Sequence, residues 1–289
     1  MVDIYKKVRK VLWIILIANL LVAFLKFSLG LIMKSNSMTA DAVHSFTDGA
    51  SNIVGLIGIY FASKPVDNEH PYGHKKYEMV AGMFISVMLL LVGLKVIAEG
   101  VTRLIYPVEP NITLPYILIL LFTIVINIIV SAYENKKGQK LNSQILISDS
   151  VHTKSDILVS FGVLATLLCI KLGLPPIIDS IVSYVIAGFI FHSAYEIFKD
   201  NSSILIDTAI VDTEQIRQIA KSFDSIKDIH KVRSRGAKND IYIDMHVMTE
   251  PDLSVEKSHE LVHQLELKIK KEINQNVQVI VHLEPYEKI

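Results

Sequence analysis

Two stretches of this sequence carry the same polar pattern: Asp41-Ala-Val-His44-Ser-Phe-Thr-Asp48 and Asp149-Ser-Val-His152-Thr-Lys-Ser-Asp156. Both read D-x-x-H-x-x-x-D, and offsets of three, four and seven residues share one face of a helix. Each stripe then holds one imidazole and two carboxylates inside an otherwise apolar segment. Polar packing between helices accounts for serines and for asparagines such as Asn19 and Asn52. It accounts badly for two acids per helix, because a buried ionised carboxylate needs a cation or a proton. Two imidazoles with two carboxylates form a borderline donor set that suits tetrahedral Zn²⁺. His44, Asp48, His152 and Asp156 are therefore the expected ligands. Asp41 and Asp149, one turn away, are expected to line the path or to orient an imidazole.

Two further groups have metal-ligand chemistry. Residues 67–74 read Asp67-Asn-Glu-His70-Pro-Tyr-Gly-His74. Asp67, His70 and His74 can close on one ion if Pro71 and Gly73 bend the loop; an ordinary polar loop is the plain alternative. Near the C-terminus, His230 and His246 fall on adjacent expected strands, and His282 with Glu284 lie two apart, on one strand face. Solvated surface histidines explain that group equally well. Lys26 sits between Leu25 and Phe27 of an apolar run, where it either snorkels or pairs with an acid. Lys154 points off the ligand face.

The elements that must position these residues follow from hydropathy. The chain is 51% hydrophobic with a mean hydropathy of +0.41, which suits a membrane protein carrying a soluble part. Lysine plus arginine balance aspartate plus glutamate, giving no reason to expect nucleic acid. Cys169 is the one cysteine, which excludes an intrachain disulfide and a cysteine-based zinc finger. The N-terminal MVDIYKKVRK runs into an apolar stretch without a small-residue cleavage site and reads as a retained first span.

Six runs are long enough to cross a bilayer: about 11–33, 38–62, 78–101, 112–134, 144–170 and 177–198. The second and fifth are diluted by the polar stripes. Lys6, Lys7, Arg9 and Lys10, then Lys64, Lys75 and Lys76, then Lys136, Lys137 and Lys140 enrich one side of the membrane. Lys34, Arg103 and Lys171 are sparse on the other. By the positive-inside rule both termini are cytoplasmic. Residues 1–205 are thus expected to form an all-helical six-span transport domain.

Residues 206–289 form a second, cytoplasmic α+β domain of order αββαβ. A helix is expected over 213–223 with Asp212 or Thr213 as its cap, and strands over 228–235 and 240–248 around a turn at 236–239. A helix over 254–273 capped by Ser254 and a strand over 276–283 complete it. So small a core is expected to need metal or dimerisation to steady it.

These residues together resemble the cation diffusion facilitator family of divalent-metal transporters. The resemblance covers nearly the whole chain and rests on the paired H-x-x-x-D motifs, the phrase HPYGHKKYE and a histidine-bearing tail. It implies that His44, Asp48, His152 and Asp156 bind the transported ion, and that Asp67, His70 and His74 form a loop site. It also implies a binuclear tail site of His230, His246, His282 and Glu284, with His259 as a further ligand. Glu284 stands where some relatives have aspartate. A metallochaperone-like tail pairing in a homodimer, and a charge pair between Lys76 and Asp207, are implied in the same way.

The expected activity is efflux of a divalent metal, Zn²⁺ in exchange for protons, across a prokaryotic inner membrane, with no organic cofactor and no enzymatic step. The family's manganese branch uses acids or asparagine where His44 and His152 stand, so two imidazoles favour zinc, with Co²⁺, Cd²⁺ or Fe²⁺ as neighbours and Mn²⁺ as the contrasting alternative. A metal-sensing receptor that binds without transporting is the rival from another class. A membrane metallohydrolase is disfavoured because no H-E-x-x-H occurs.

Overall fold

The computed structural model describes residues 2–32, 36–105, 114–171, 177–238 and 240–286. Within its helices the side chains of residues 36–44, 47 and 48, among others, lie outside that description. The chain divides into two compact units, Met1–Asn201 and Ser202–Ile289.

The first unit is built from α1 (Val2–Ile32), α2 (Asn36–Ala62), α3 (Lys76–Ile105), α4 (Leu114–Leu141), α5 (Gln144–Lys171) and α6 (Ile177–Leu205). Each has at least 27 residues, or about 40 Å of helix, more than a hydrocarbon core requires. Four contain apolar spans among the described residues: Ile4–Ser28, Lys76–Thr102, Ile117–Leu141 and Ser180–Leu205. In α2 the apolar part is the shorter Gly49–Ala62. The two helices without a full apolar window, α2 and α5, are those carrying the polar stripes. These six helices are the transmembrane domain.

Several helices run further than the hydropathy suggested, α4 and α6 at their C-terminal ends. The fourth apolar run ends near 134, yet α4 continues to Leu141 and carries Lys136, Lys137 and Lys140 on its last turns. Helical hydrogen bonds are internal to the segment, so the helix need not stop where apolar residues do. It stops at Asn142, whose φ of 49° is a left-handed conformation that asparagine tolerates better than most residues. Ser143 N–H then donates to Gly138 O at 2.9 Å, and α5 starts at once. The sixth run likewise extends to Leu205.

An apolar cluster joins one end of the bundle: Val8, Val11, Leu12 and Ile15 of α1, Ile59 of α2, Ala81 of α3, Val130 of α4, and Ile145 with Leu146 of α5. Glu78 on the first turn of α3 fastens the same end. Its Oε1 accepts from Ser143 Oγ at 2.5 Å and from Ile145 N–H at 3.3 Å, supplying an acceptor to the first turn of α5. A second cluster packs α6 through Ile190, Ala194 and Ile197 on Leu89 of α3, with Val151 and Val159 of α5 at its edge. Glycine at 58 permits the contact of α2 with α3, since a Cβ there would collide with Ala81 Cβ and press on Ile145.

The second unit contains α7 (Thr213–Lys221), β1 (Ile226–Ala237), β2 (Asp240–Thr249), α8 (Val255–Glu272) and β3 (Val277–Pro285). Asp212 caps α7 by accepting from Glu214 N–H, and Ser254 caps α8. The sheet order is β1-β2-β3, with β1 and β2 antiparallel and β2 and β3 parallel across the α8 crossover. Burial alternates along β2. Ile241, Ile243, Met245 and Val247 pack with Ile216 and Ile219 of α7 and with Leu261, Leu265 and Ile269 of α8. The other sheet face carries His246 together with Asp244, Glu284 and His282.

The close approach at Gly58 gives a stability prediction. Gly58→Val destabilises the detergent-solubilised protein by about 1–3 kcal/mol through overpacking, whereas Gly188→Ala, inside α6 with nothing within 4 Å of a new Cβ, does not destabilise it. Thermal unfolding of both variants checks this; equal melting temperatures would contradict the close packing of α2 on α3.

Candidate metal-binding sites

On α5, Asp149 and His152 are 0% and 3% exposed, and Asp156 is half-buried. His152, Thr153 and Asp156 line a cavity of about 20 Å³ shared with Asn19 and Val22 of α1, Ser45 and Ser51 of α2, and Thr123 and Asn127 of α4. That space suits a particle of the size of one water or one ion. Its walls combine an imidazole and a carboxylate with hydroxyls and amides, which are ion-binding groups and poor lipid neighbours. The other stripe residues, Asp41, His44 and Asp48, belong to α2, but their side chains lie outside the described residues.

Lys26 is 5% exposed and donates to Ser45 Oγ at 2.9 Å, so it faces the bundle instead of snorkelling to the membrane surface. Asp149 accepts from Asn52 Nδ2, and Asn52 Oδ1 accepts from Asn19 Nδ2 at 2.9 Å. Lys154 is exposed, off the stripe. One acid went unnoticed in the sequence. Glu134 on α4 is 0% exposed and takes a hydrogen bond from Thr153 Oγ1 at 3.1 Å. It stood at the last position of the fourth apolar run, where an acid reads as the membrane boundary.

The loop between α2 and α3 brings Asp67, His70 and His74 together, with donor atoms all within 4.8 Å of one another. Asp67 Oδ1 accepts from His70 N–H at 2.7 Å and contacts His70 Nδ1 at 3.1 Å. Its Oδ2 lies 3.3 Å from His74 Nε2. Gly73, at φ 84°, makes the turn that folds His74 back onto Asp67. The Asp67 carboxyl is held below its usual value, first by the backbone N–H of His70. A tetrahedral ion separates its donors by about 3.4 Å, so this trio fits one with small side-chain rotations.

In the second unit the strand register lines up three histidines. His230 pairs with His246, and His246 pairs with His282, so the imidazoles form one row across the sheet. Glu284 reaches back along that row: Oε1 lies 2.7 Å from His246 Nδ1 and Oε2 lies 3.1 Å from His230 Nε2. His230, His246 and Glu284 form a second group with donors within 4.8 Å. His282 is looser, 3.8 Å from Glu284 and 66% exposed, its ring 4.7 Å from that of His246. His259 is not brought to the trio. It lies on α8, with its ring against His263 at 4.8 Å. Asp207, in the same unit, lies 3.5 Å from Arg235 Nη1, while Lys76 opens α3 of the first unit.

The sequence matches the cation efflux transmembrane domain over residues 12–206 and the cytoplasmic domain of cation efflux proteins over residues 211–286. The chain belongs to the cation diffusion facilitator family. It is 30% identical over 258 residues to an uncharacterized transporter of Methanocaldococcus jannaschii, covering 89% of this chain and 91% of that one. It is 28% identical to the manganese efflux system protein MneP of Bacillus subtilis, covering 96% of each. With the cation-efflux pump FieF of Shewanella oneidensis it shares 27% identity, covering 88% of this chain and 86% of the pump. This cation diffusion facilitator is a multi-pass membrane protein for the efflux of divalent metal ions.

The tail trio yields a pH prediction. The Glu284 carboxyl sits below its ordinary value of 4.5, chiefly through its hydrogen bond with His246 and then through the charge of His230, against the opposing desolvation. A lowered folded value means a contribution to stability that is complete above the ordinary value and lost as pH falls through the lowered one. His246→Ala moves the Glu284 titration up toward 4.5. Carboxyl-carbon NMR of the metal-free protein checks it, and an unchanged titration would show that the hydrogen bond has no such effect.

Proposed function

We propose that this transporter is a Zn²⁺/H⁺ antiporter working as a homodimer in a prokaryotic inner membrane, with His44, Asp48, His152 and Asp156 as the transport ligands. The observation that carries the reading is the pairing of His152 with Asp156 on one wall of a small cavity between α1, α2, α4 and α5. Asp41 and Asp149 support that site from one turn away. Imidazole and carboxylate bind a metal only when deprotonated, so metal and protons compete for the same groups. Alternating exposure of such a site exchanges cytoplasmic metal for external protons.

The loop trio Asp67, His70 and His74 and the tail ligands His230, His246, His282 and Glu284 report the cytoplasmic metal level. His259 joins the tail set in the assembled dimer. Two imidazoles favour zinc over harder ions. A manganese reading is kept in view by the similarity to a manganese efflux protein.

Zinc flux into proteoliposomes falls by more than about tenfold in Asp48→Ala and Asp156→Ala, as expected for lost ligands. His44→Asp moves the preference from zinc toward manganese in a competition assay. Zinc binding without any flux in the unaltered protein would favour a receptor, and manganese preferred before the substitution would overturn the zinc assignment.

A further inference from the structure

The buried acid on α4 is used by no step above. Glu134 and Asp149 are each 0% exposed, and Thr153 lies against both: its Oγ1 is 3.1 Å from Glu134 Oε2 and 3.2 Å from the Asp149 backbone oxygen. Their four oxygens receive two donors. Thr153 Oγ1 serves Glu134 Oε2 and Asn52 Nδ2 serves Asp149 Oδ2. Glu134 Oε1 and Asp149 Oδ1 have no hydrogen-bond partner.

No cationic side chain is among the described hydrogen-bond partners of this pair. From α5 it is faced by Thr153 and Asp156, and the charges acting most strongly on Glu134 are those of Asp149 and Asp156, both negative. From α2 it is faced by Asn52, backed by Asn19 of α1. Two neighbouring buried carboxylates in a medium of low dielectric do not both stay ionised without a cation or a proton beside them. Two carboxyls and one hydroxyl are too few donors for a hard ion that wants six or more.

We propose that Glu134 and Asp149 form a proton-binding site, separate from the metal ligands, that holds one proton between the two carboxyls and carries the counter-ion of transport. Metal entering beside Asp156 brings positive charge close to the pair and favours release of that proton. Metal departure favours its return. Coupling then runs through electrostatics between two neighbouring sites, in addition to competition at a shared ligand. The inference rests on the exchange reading given under Proposed function.

The test has two independent readouts, with zinc as the only metal. In infrared difference spectra at neutral pH, the protein shows a carboxylic-acid C=O band that zinc diminishes and that Glu134→Gln loses. Asp149→Asn shifts the same band, which keeps the test open should Glu134→Gln fail to fold. In proteoliposomes carrying an internal pH dye, Glu134→Gln lowers the protons moved per zinc ion, and Glu134→Asp restores them. A band unaffected by both substitutions, or proton counterflow per zinc unchanged in Glu134→Gln, overturns the proton site while exchange stands. Zinc flux without proton counterflow in the unaltered protein overturns the exchange reading and this site with it.

Discussion

A charge inside a bilayer must be neutralised by something, and the first unit is arranged around that requirement. Asp149, His152 and Glu134 have almost no exposure, and Lys26 is buried beside Ser45. Lipid cannot solvate these groups, so they turn inward, and the helices that carry them must meet. Amides and hydroxyls from α1, α2, α4 and α5 gather around them. The apolar cluster and the Glu78 contact to Ser143 close one end of the bundle. Polar groups therefore specify which helices are neighbours, while apolar contacts and the glycine at 58 set how closely they pack.

The second unit meets a different constraint, because a small sheet has only two faces. One is covered by α7 and α8 and supplies the core. The other carries His230, His246 and Glu284. These candidate ligands thus cost the core nothing in volume. The irregular register of β1 between His230 and Arg233, with Lys231 at φ 48°, falls immediately after the ligand, as bulges commonly do near functional residues.

Much of this was legible because short-range patterns carry it. The D-x-x-H-x-x-x-D stripes sit on α2 and α5 as helical spacing requires, and Asp212, Ser254 and the alternation over 241–247 marked the tail elements in order. Long-range packing was not legible. Glu134 looked like the end of a span because hydropathy weighs composition and cannot see that α5 packs against that turn. The tie from Glu78 to the start of α5 joins residues 65 apart, and no local pattern announces it. His259 was grouped with the tail ligands by resemblance, yet in one chain α8 sets it beside His263. The ends of α4 and α6 were missed for the same reason that they exist: a helix outlives its apolar content.

The row of histidines across the sheet has a consequence for folding. A one-residue slip of β3 would turn His282 and Glu284 toward the helices, and burial of charge would reject it. A two-residue slip keeps Val279, Val281 and Leu283 facing the core, so apolar packing discriminates against it only weakly. It would, however, carry Glu284 away from His246 and His230, which it now joins. These side chains act as a proofreading mark on strand alignment, and an ion bridging them would select the one register that the apolar core alone leaves loosely specified.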